Sequence, residues 1–308
     1  MKKILCTCPP MIRAITSLEN EFVRRDAEVF CPEFRQVMAE SDLINLVPDY
    51  DGWIIGDDPA TAGVLEAGVA GRLRAAIRWG IGTDNVDFPA AKACGLDIVN
   101  TPGMFNEEVS DVAVAYLLGL ARDLFVIDRG VRSGGWPKPP GMSLAGKTVA
   151  LAGFGNIGRS TARKLLAFGL KVIAYDPFFK PDPALPLESA VWPERIEEAD
   201  FILLTCALTE SSRHMLNASV LAAVKPGVLV VNVGRGPLID ESALISGLES
   251  GRVGAAALDV FEEEPLPPNS PLRSFDRCVF GSHNSSNTVE AVHRTSLRAI
   301  ELLFERLK

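Results

Sequence analysis

A glycine-rich segment follows a short apolar run in the middle of the chain. Residues 148–152, TVALA, lead directly into GFGNIG at 153–158, and a helix-forming segment comes next. In a strand–loop–helix unit, Gly153 permits the tight turn, Gly155 lets the backbone approach a pyrophosphate and Gly158 allows close packing of the helix on the strand. The helix N-terminus adds N–H groups and the positive end of a dipole. The segment predicts a dinucleotide-binding loop. The alternative is a turn that serves only packing.

An acidic residue ends the next apolar run. Residues 171–175, KVIAY, predict a strand, and Asp176 follows it eighteen positions after Gly158. A carboxylate at this place accepts hydrogen bonds from the ribose hydroxyls and repels a 2′-phosphate. We therefore expect the cofactor to be NAD rather than NADP.

Three histidines are the candidates for a group that titrates near neutral pH. His283 directly follows a predicted strand, whereas His214 stands in a helix-like context and His293 within a predicted helix. Ligands of open α/β sheets bind outside the carboxyl ends of the strands, so we expect His283 to be the general acid–base group. A solvated or structural role is favoured for the other two.

An arginine and an acidic run also follow predicted strands. Arg235 lies between two glycines, which leave room for its guanidinium to bind a carboxylate through two parallel hydrogen bonds. An exposed arginine without function is the alternative. The residue types alone do not say which carboxylate of the run at 262–264 would stand behind His283. Together these groups suit hydride transfer between a nicotinamide and C2 of a 2-hydroxy acid.

Short apolar runs alternate with helical segments along the whole chain, which is the α/β pattern. Runs that are apolar throughout favour parallel sheets covered by helices on both faces, and right-handed crossovers make a doubly wound architecture the expected one. The predicted strands are 3–8, 27–31, 52–55, 75–79, 97–99, 148–153, 171–175, 201–205, 228–233, 255–260 and 278–281.

Length and composition limit the function classes. The chain has 308 residues and a net charge of −8, so we expect two domains and no attraction to nucleic acid or to a membrane surface. The six cysteines are scattered through strand-like segments, and this favours reduced thiols, a cytoplasmic protein and no metal site. Composition breaks at 100–103 and 283–287 indicate where domains meet.

These residues and motifs resemble the D-2-hydroxyacid dehydrogenase family, with its D-3-phosphoglycerate, D-lactate and glyoxylate/hydroxypyruvate dehydrogenases. The resemblance covers nearly the whole chain. The segments that carry it are RWGIGTDNVD at 78–87, NTPG at 100–103, the glycine loop with Asp176, NVGRG at 232–236, LDVFEEEP at 258–265 and Ser282-His283.

The resemblance implies a role for individual residues. The catalytic trio would be Arg235, Glu264 and His283, the glutamate being the one directly before the proline. The implied NAD contacts are Gly153, Gly155, Asn156, Ile157, Gly158, Asp176, Thr205, Cys206, Val233, Gly234 and Asp259, the last at the nicotinamide amide. The implied substrate contacts are Gly80, Ile81, Gly82 and Arg235.

The resemblance also implies an architecture and an assembly. A Rossmann NAD-binding domain, residues 100–287, would be inserted in a flavodoxin-like substrate domain made of residues 1–99 and 288–308, each with a doubly wound parallel sheet. A homodimer would form through the NAD domain, around 104–145. The implied reaction is hydride transfer between NAD and a small D-2-hydroxy acid, either 3-phosphoglycerate-like or hydroxypyruvate/glyoxylate-like.

Two points leave alternatives open. Phosphoglycerate dehydrogenases of the best-known type carry arginines after the third strand, where this chain has Gly56-Asp57-Asp58. Two carboxylates would oppose a phosphate, so we expect a phosphate-free substrate unless both point to solvent and cap a helix at Pro59. The second alternative is an NAD-sensing regulatory protein of the corepressor type on the same fold.

Overall fold

A computed structural model describes residues 1–33 and 36–307 of the chain. It divides into two compact units. Unit 1 comprises Met1–Phe105 and Asn287–Lys308, and unit 2 comprises Asn106–Ser286. The first division comes after Phe105, later than the break expected after residue 99, because Phe105 packs on Trp79 of unit 1 with 5.3 Å between the ring centroids.

Unit 1 contains a five-stranded sheet in which every pair of neighbours is parallel. The strand order is β2-β1-β3-β4-β5, the flavodoxin-like doubly wound order. The prediction for this part of the chain is confirmed. The strands are β1 (Lys2–Cys6), β2 (Ala27–Phe30), β3 (Gly52–Ile55), β4 (Ala75–Arg78) and β5 (Ile98–Asn100).

Helices of unit 1 start where a side chain can cap them. Thr61, Asp87 and Thr288 each accept a hydrogen bond from an N–H in the first turn of the helix that follows. The last helix buries one apolar face against strands β3 and β4, as its periodicity predicts. The helices are α1 (Pro9–Arg13), α2 (Glu19–Val23), α3 (Glu40–Leu46), α4 (Ala62–Ala70), α5 (Phe88–Ala93) and α11 (Val289–Arg306).

Unit 2 contains a seven-stranded parallel sheet with the order β12-β11-β10-β9-β6-β7-β8. The direction of winding reverses between β6 and β9, so the carboxyl ends of these two strands form the switch point where α/β sheets bind ligands. The strands are β6 (Thr148–Ala152), β7 (Lys171–Tyr175), β8 (Glu188–Ser189), β9 (Phe201–Leu204), β10 (Val228–Asn232), β11 (Val253–Leu258) and β12 (Val279–Phe280).

One helix of unit 2, Leu124–Arg132, was not predicted from the sequence. None of its residues is buried, and it exposes Leu124 and Val131. The helices are α6 (Asn106–Ala121), α7 (Leu124–Arg132), α8 (Asn156–Ala167), α9 (Ala218–Ala223) and α10 (Glu241–Glu249). In the part of the chain that the structure describes, none of the helices of either unit has the length and apolarity needed to span a bilayer.

Candidate active site

The glycine loop of unit 2 joins β6 to α8. At two of its positions, Gly153 and Gly158, only glycine fits. Gly153 has a φ of +93°, and a Cβ added there would lie 2.6 Å from the Cys206 nitrogen. A Cβ on Gly158 would lie 2.1 Å from the Gly153 oxygen. At Gly155, by contrast, a Cβ would meet nothing within 4 Å, so this residue borders open space. The loop therefore packs tightly on the sheet and leaves its middle accessible to a ligand.

Asp176 stands at the end of β7, next to this loop. Its Oδ2 accepts a hydrogen bond from the Phe154 N–H at 2.7 Å and its Oδ1 accepts one from the Phe178 N–H at 2.8 Å. Two backbone amides thus hold the carboxylate in place beside the glycine loop. This is the position in which a ribose-binding carboxylate is expected.

The end of β9 supports the glycine loop from the other side. The Thr205 hydroxyl lies 3.1 Å from the Ala152 oxygen and 3.0 Å from the Gly153 oxygen. Burial raises the pKa of the neighbouring Cys206 thiol to about 11, so this thiol is protonated at neutral pH. Val233, at the end of β10, donates its N–H to the Leu204 oxygen at 3.2 Å. The Thr205 hydroxyl and the Val233 N–H thus bond to the strand ends beside the glycine loop.

His283 and Glu264 form a hydrogen-bonded pair. The Nδ1 atom of His283 lies 2.8 Å from Oε2 of Glu264, and both side chains are roughly three-quarters buried. The other carboxylate oxygen, Oε1, accepts the Phe261 N–H at 3.0 Å, which fixes the glutamate. In the same acidic run Glu262 pairs with a different residue, so the structure singles out Glu264 as the carboxylate behind His283.

Arg235 lies in the turn after β10, and Asn232 fixes that turn. The Asn232 Nδ2 donates to the Arg235 carbonyl at 2.8 Å, and its Oδ1 accepts the Gly234 N–H at 3.0 Å. The Arg235 Nη1 donates to the Gly234 carbonyl at 2.9 Å. Gly236 is required because a Cβ there would overlap the Phe261 carbonyl at 1.8 Å. β10, β11 and β12 are neighbours, so this turn lies at the same edge of the sheet as the His283–Glu264 pair.

Asp259 has a structural role that the sequence did not reveal. This buried carboxylate accepts hydrogen bonds from the N–H groups of Asn284 at 3.2 Å and Ser285 at 2.9 Å, and from the Ser285 hydroxyl. The Asp259 carbonyl also accepts the His283 N–H at 2.7 Å. His283 itself has a φ of +53°. Asp259 therefore holds the turn that presents His283, and its contact with the nicotinamide amide stays a prediction.

His214 lies outside any helix, contrary to the expected helix-like context. It sits in a turn with a φ of +52°, and its Nε2 lies 2.6 Å from Oε1 of Glu262. Glu262 in turn donates its N–H to Oε1 of Glu241 at 2.6 Å. The helix-like pattern misled because Thr209 and Ser212 bond to each other's backbone and side chains, which stabilises a turn instead.

In unit 1 the turn at 80–82 follows β4. Gly80 has a φ of +123°, and a Cβ there would lie 2.9 Å from Nη1 of Arg78. Its N–H donates to the Thr101 hydroxyl at 2.8 Å, and Asn100 Nδ2 donates to the Ile81 carbonyl at 2.9 Å. The turn, which ends at Gly82, is thus held by Asn100 and Thr101 at the end of β5, and Arg78 lies against Gly80.

The two aspartates after β3 do not behave alike. Asp57 Oδ1 accepts a hydrogen bond from Nη2 of Arg78 at 2.7 Å. Asp58 is fully buried, and burial raises its pKa although a hydrogen bond from the Met38 N–H opposes the shift. Neither caps a helix at Pro59, because α4 begins at Ala62 and is capped by Thr61.

The donors of Arg78 are engaged within unit 1. Besides Asp57, its Nε donates to Oδ1 of Asn85 at 3.0 Å and its Nη1 to the Trp79 carbonyl. The side chain is only 6% exposed. Among the residues that the structure describes, no group of three or more His, Cys, Asp or Glu side chains is arranged to hold a metal ion.

Comparisons with known proteins show the family of this chain. The family described as "D-isomer specific 2-hydroxyacid dehydrogenase, NAD binding domain" matches residues 114–285. The hydroxypyruvate reductase of Thermotoga maritima is 39% identical over 277 residues, which are 88% of this chain and 89% of that protein. The D-3-phosphoglycerate dehydrogenase of Methanocaldococcus jannaschii is 33% identical over 297 residues, 94% of this chain and 55% of that protein.

Solved structures show the same likeness. The NAD-dependent formate dehydrogenase of Staphylococcus aureus, crystallised in complex with NAD, superposes with a TM-score of 0.86 at 26% identity, covering 99% of this chain and 95% of that one. Fold and glycine loop together define an NAD-dependent oxidoreductase. The chain belongs to the D-2-hydroxyacid dehydrogenase family and acts on D-2-hydroxy acids with NAD. The regulatory alternative finds no support among these relatives.

Proposed function

We propose that the protein interconverts a small, phosphate-free D-2-hydroxy acid and its 2-keto acid, with hydroxypyruvate and glyoxylate as the candidate keto acids, and that His283 transfers the proton. The observation that carries this proposal is the 2.8 Å contact between His283 Nδ1 and Glu264 Oε2. A carboxylate on Nδ1 orients the ring and assigns proton transfer to Nε2. In the direction of oxidation, Nε2 takes the hydroxyl proton, and in the direction of reduction it returns a proton to the carbonyl oxygen.

Arg235 binds the substrate in this proposal. The turn held by Asn232 presents the guanidinium at the edge where the His283–Glu264 pair lies, and a planar guanidinium can hold a carboxylate through two hydrogen bonds. The same positive charge would polarise the C2 oxygen. The turn at Gly80–Gly82 remains a proposed second contact for the carboxylate, supported by its fixed conformation in unit 1.

The residues of unit 2 fit NAD. Bound NAD supplies the hydride acceptor for oxidation and, as NADH, the hydride donor for reduction. Gly155 borders open space at the start of α8, where the helix has no side-chain cap, so its first amides are suited to a pyrophosphate. The Asp176 carboxylate suits the ribose hydroxyls. The other proposed NAD contacts follow the neighbouring strands β9 and β10, namely Thr205, Cys206, Val233 and Gly234.

The substrate's tail is proposed to lack a phosphate because the arginine at the edge of the sheet in unit 1 is already occupied. Arg78 is buried and bonded to Asp57 and Asn85, so a phosphate could recruit it only by displacing those partners. Repulsion of a phosphate by two carboxylates contributes less than the sequence indicates, because the Asp57 carboxylate is paired with Arg78.

A homodimer through unit 2 is proposed from the exposed apolar residues of the segment between 124 and 136. Leu124 is 52% exposed, Val131 44% and Trp136 77%. Clustered exposed apolar side chains of this size favour a protein interface. Sedimentation of the wild type and of Trp136→Ala tests the homodimer. The variant should dissociate into monomers at a higher protein concentration than the wild type, and a monomeric wild type would refute the proposal.

The cytoplasm remains the proposed location. All six cysteines are free thiols in the structure, as expected in a reducing compartment. Comparison of the thiol count in the protein isolated under rapid alkylation with the count after reduction tests this proposal. Most thiols should be alkylated without prior reduction.

The reaction is tested by a panel of 2-keto acids with NADH and with NADPH, followed at the absorbance band of the reduced nicotinamide. Hydroxypyruvate or glyoxylate should be reduced with NADH, and NADPH should support the reaction far less well. Product analysis should give the D-2-hydroxy acid. No turnover of any 2-keto acid by a protein that binds NADH would refute the proposal.

A further inference from the structure

Two cysteines of unit 1 lie at the ends of neighbouring strands, Cys6 as the last residue of β1 and Cys31 directly after β2. β1 and β2 pair in parallel with Ile4 opposite Val29 and Leu5 opposite Phe30. Cys6 and Cys31 are the next residues of the two chains, so a register continued by one position would place them opposite each other. Paired residues of a parallel ladder point to the same face of the sheet, so this register would put both thiols on one side. Their side chains share a hydrogen bond.

The spacing suits a disulfide. Neighbouring strands lie about 4.7–4.9 Å apart, and bridged cysteines have Cα atoms about 4.4–6.8 Å apart. Cys31 follows the last residue of β2 rather than lying within it. Its backbone therefore has more freedom than a ladder residue to bring the Cβ atoms to the roughly 3.5–4.5 Å that a disulfide requires.

The two thiols differ in access and acidity. Cys31 is partly exposed, and its pKa is lowered because the Cys6 thiol donates a hydrogen bond to it. Cys6 is fully buried, and its pKa is raised by that same hydrogen bond and by burial. A partly exposed thiol with a lowered pKa reacts first, and a buried neighbour can then react with it.

We propose that Cys6 and Cys31 form a reversible disulfide when a small-molecule disulfide of the glutathione class is present. The Cys31 thiolate attacks one sulfur of the oxidised reagent, forms a mixed disulfide and releases one thiolate. The Cys6 thiol loses its proton to solvent and attacks the Cys31 sulfur, which releases the second thiolate. The two cysteines lose two electrons and two protons in all, and one reagent disulfide is reduced to two thiols.

Cys8 is the competing partner, and its position makes it the poorer one. It lies two residues beyond the end of β1, where it precedes α1, so a β1–β2 register continued by one position does not reach it. It is buried, and burial raises its pKa strongly. The register therefore favours Cys6 over Cys8 as the residue that resolves the mixed disulfide.

The test oxidises the folded protein with oxidised glutathione, blocks the remaining thiols and digests with trypsin. Cleavage after lysine and arginine gives peptide 4–13, which contains Cys6 and Cys8, and peptide 26–35, which contains Cys31. We expect these peptides to be joined by a bond that dithiothreitol cleaves. The denatured protein should lose two of its six titratable thiols.

Variants identify the bonded residues. Cys8→Ser and the matched control Cys94→Ser should keep the link, whereas Cys6→Ser should stop at a Cys31–glutathione adduct. If Cys6→Ser does not fold, the wild type and Cys8→Ser still decide the question. A link lost in Cys8→Ser, a link formed only in denaturant, or no link at all would overturn the proposal.

Discussion

The carboxyl edges of the two sheets carry polar side chains of similar types, yet they use them differently. In unit 2 the His283–Glu264 pair is held from behind by Asp259 and the Phe261 amide, and Gly155 borders open space. In unit 1 the buried Arg78 bonds to Asp57 and to Asn85. The edge in unit 2 borders open space at Gly155, whereas the edge in unit 1 holds the Arg78 cation in a local network.

Ligands of open α/β sheets bind outside the carboxyl ends of the strands, and in both units this rule points to polar residues at those ends. Whether such a residue acts on a ligand depends on which partners its own donors and acceptors already have. Substitutions should therefore affect catalysis most at the residues proposed for chemistry and least at the residues that support them.

Replacement of His283 should have the largest effect. His283→Ala removes the proposed proton-transfer group, so turnover should fall roughly 10²–10⁴-fold while NAD binding, measured by calorimetry, stays intact. His214→Ala is the matched control, because His214 pairs with Glu262 instead of Glu264. Its turnover should fall less than about tenfold. Full activity of His283→Ala on every accepted substrate would place the proton-transfer group elsewhere.

Replacement of Arg235 should act mainly on substrate binding. The loss of a charged hydrogen bond costs about 1.5–3 kcal/mol, so Arg235→Ala should raise KM for the keto acid roughly 10- to 100-fold. Arg235→Lys keeps the charge but loses the planar fork, and we expect an intermediate KM. Steady-state kinetics with saturating NADH measure both. An unchanged KM in the alanine variant would contradict the assignment.

Replacement of Asp176 should narrow the preference for NAD. Asp176→Ala removes the proposed ribose contact and the repulsion of a 2′-phosphate, so affinity for NAD should fall about tenfold and affinity for NADP should rise. Asp176→Asn is the conservative comparison, since it keeps an acceptor for the Phe154 or Phe178 amide. Equal affinity of the wild type for both cofactors would invalidate the prediction.

Replacement of Asp58 should change stability rather than catalysis. Burial raises its pKa in the folded state, so folding takes up a proton and stability falls as pH rises from about 4 through the folded-state pKa. Asp58→Asn lacks this contribution, which is at most about 1.4 kcal/mol per pH unit. Denaturant titrations of both proteins across that range measure the difference. Parallel stability curves would show that Asp58 does not titrate there.

Much of the fold could be predicted because its strands are buried runs with clear boundaries. All eleven predicted strands exist, with ends that differ by up to two residues. Strand β8 was missed because its two residues are exposed and carry no apolar pattern. Helix α7 was not predicted although its apolar residues lie on one side, and none of its residues is buried, so this side is not part of the core of unit 2.

The site could be predicted only in part. The glycine loop has a fixed spacing, so the sequence was enough to locate it. The choice of Glu264 over Glu262 and Glu263 needed a family resemblance, because the choice depends on how the loop folds back through the Phe261 amide. The support that Asp259 gives to the His283 turn joins residues 26 positions apart, and no local pattern indicates it.

The difference between the two sheet edges is tested most directly by kcat/KM with NADH. The value is measured for hydroxypyruvate and for 3-phosphohydroxypyruvate under the same conditions. If Arg78 is held by Asp57 as described, the phosphate-free acid has the higher kcat/KM in the wild type. Asp57→Asn removes the charge of the carboxylate that pairs with Arg78. The ratio of the two kcat/KM values should therefore shift toward the phosphorylated acid. A clear preference of the wild type for 3-phosphohydroxypyruvate would contradict the account and show that other basic groups bind the phosphate.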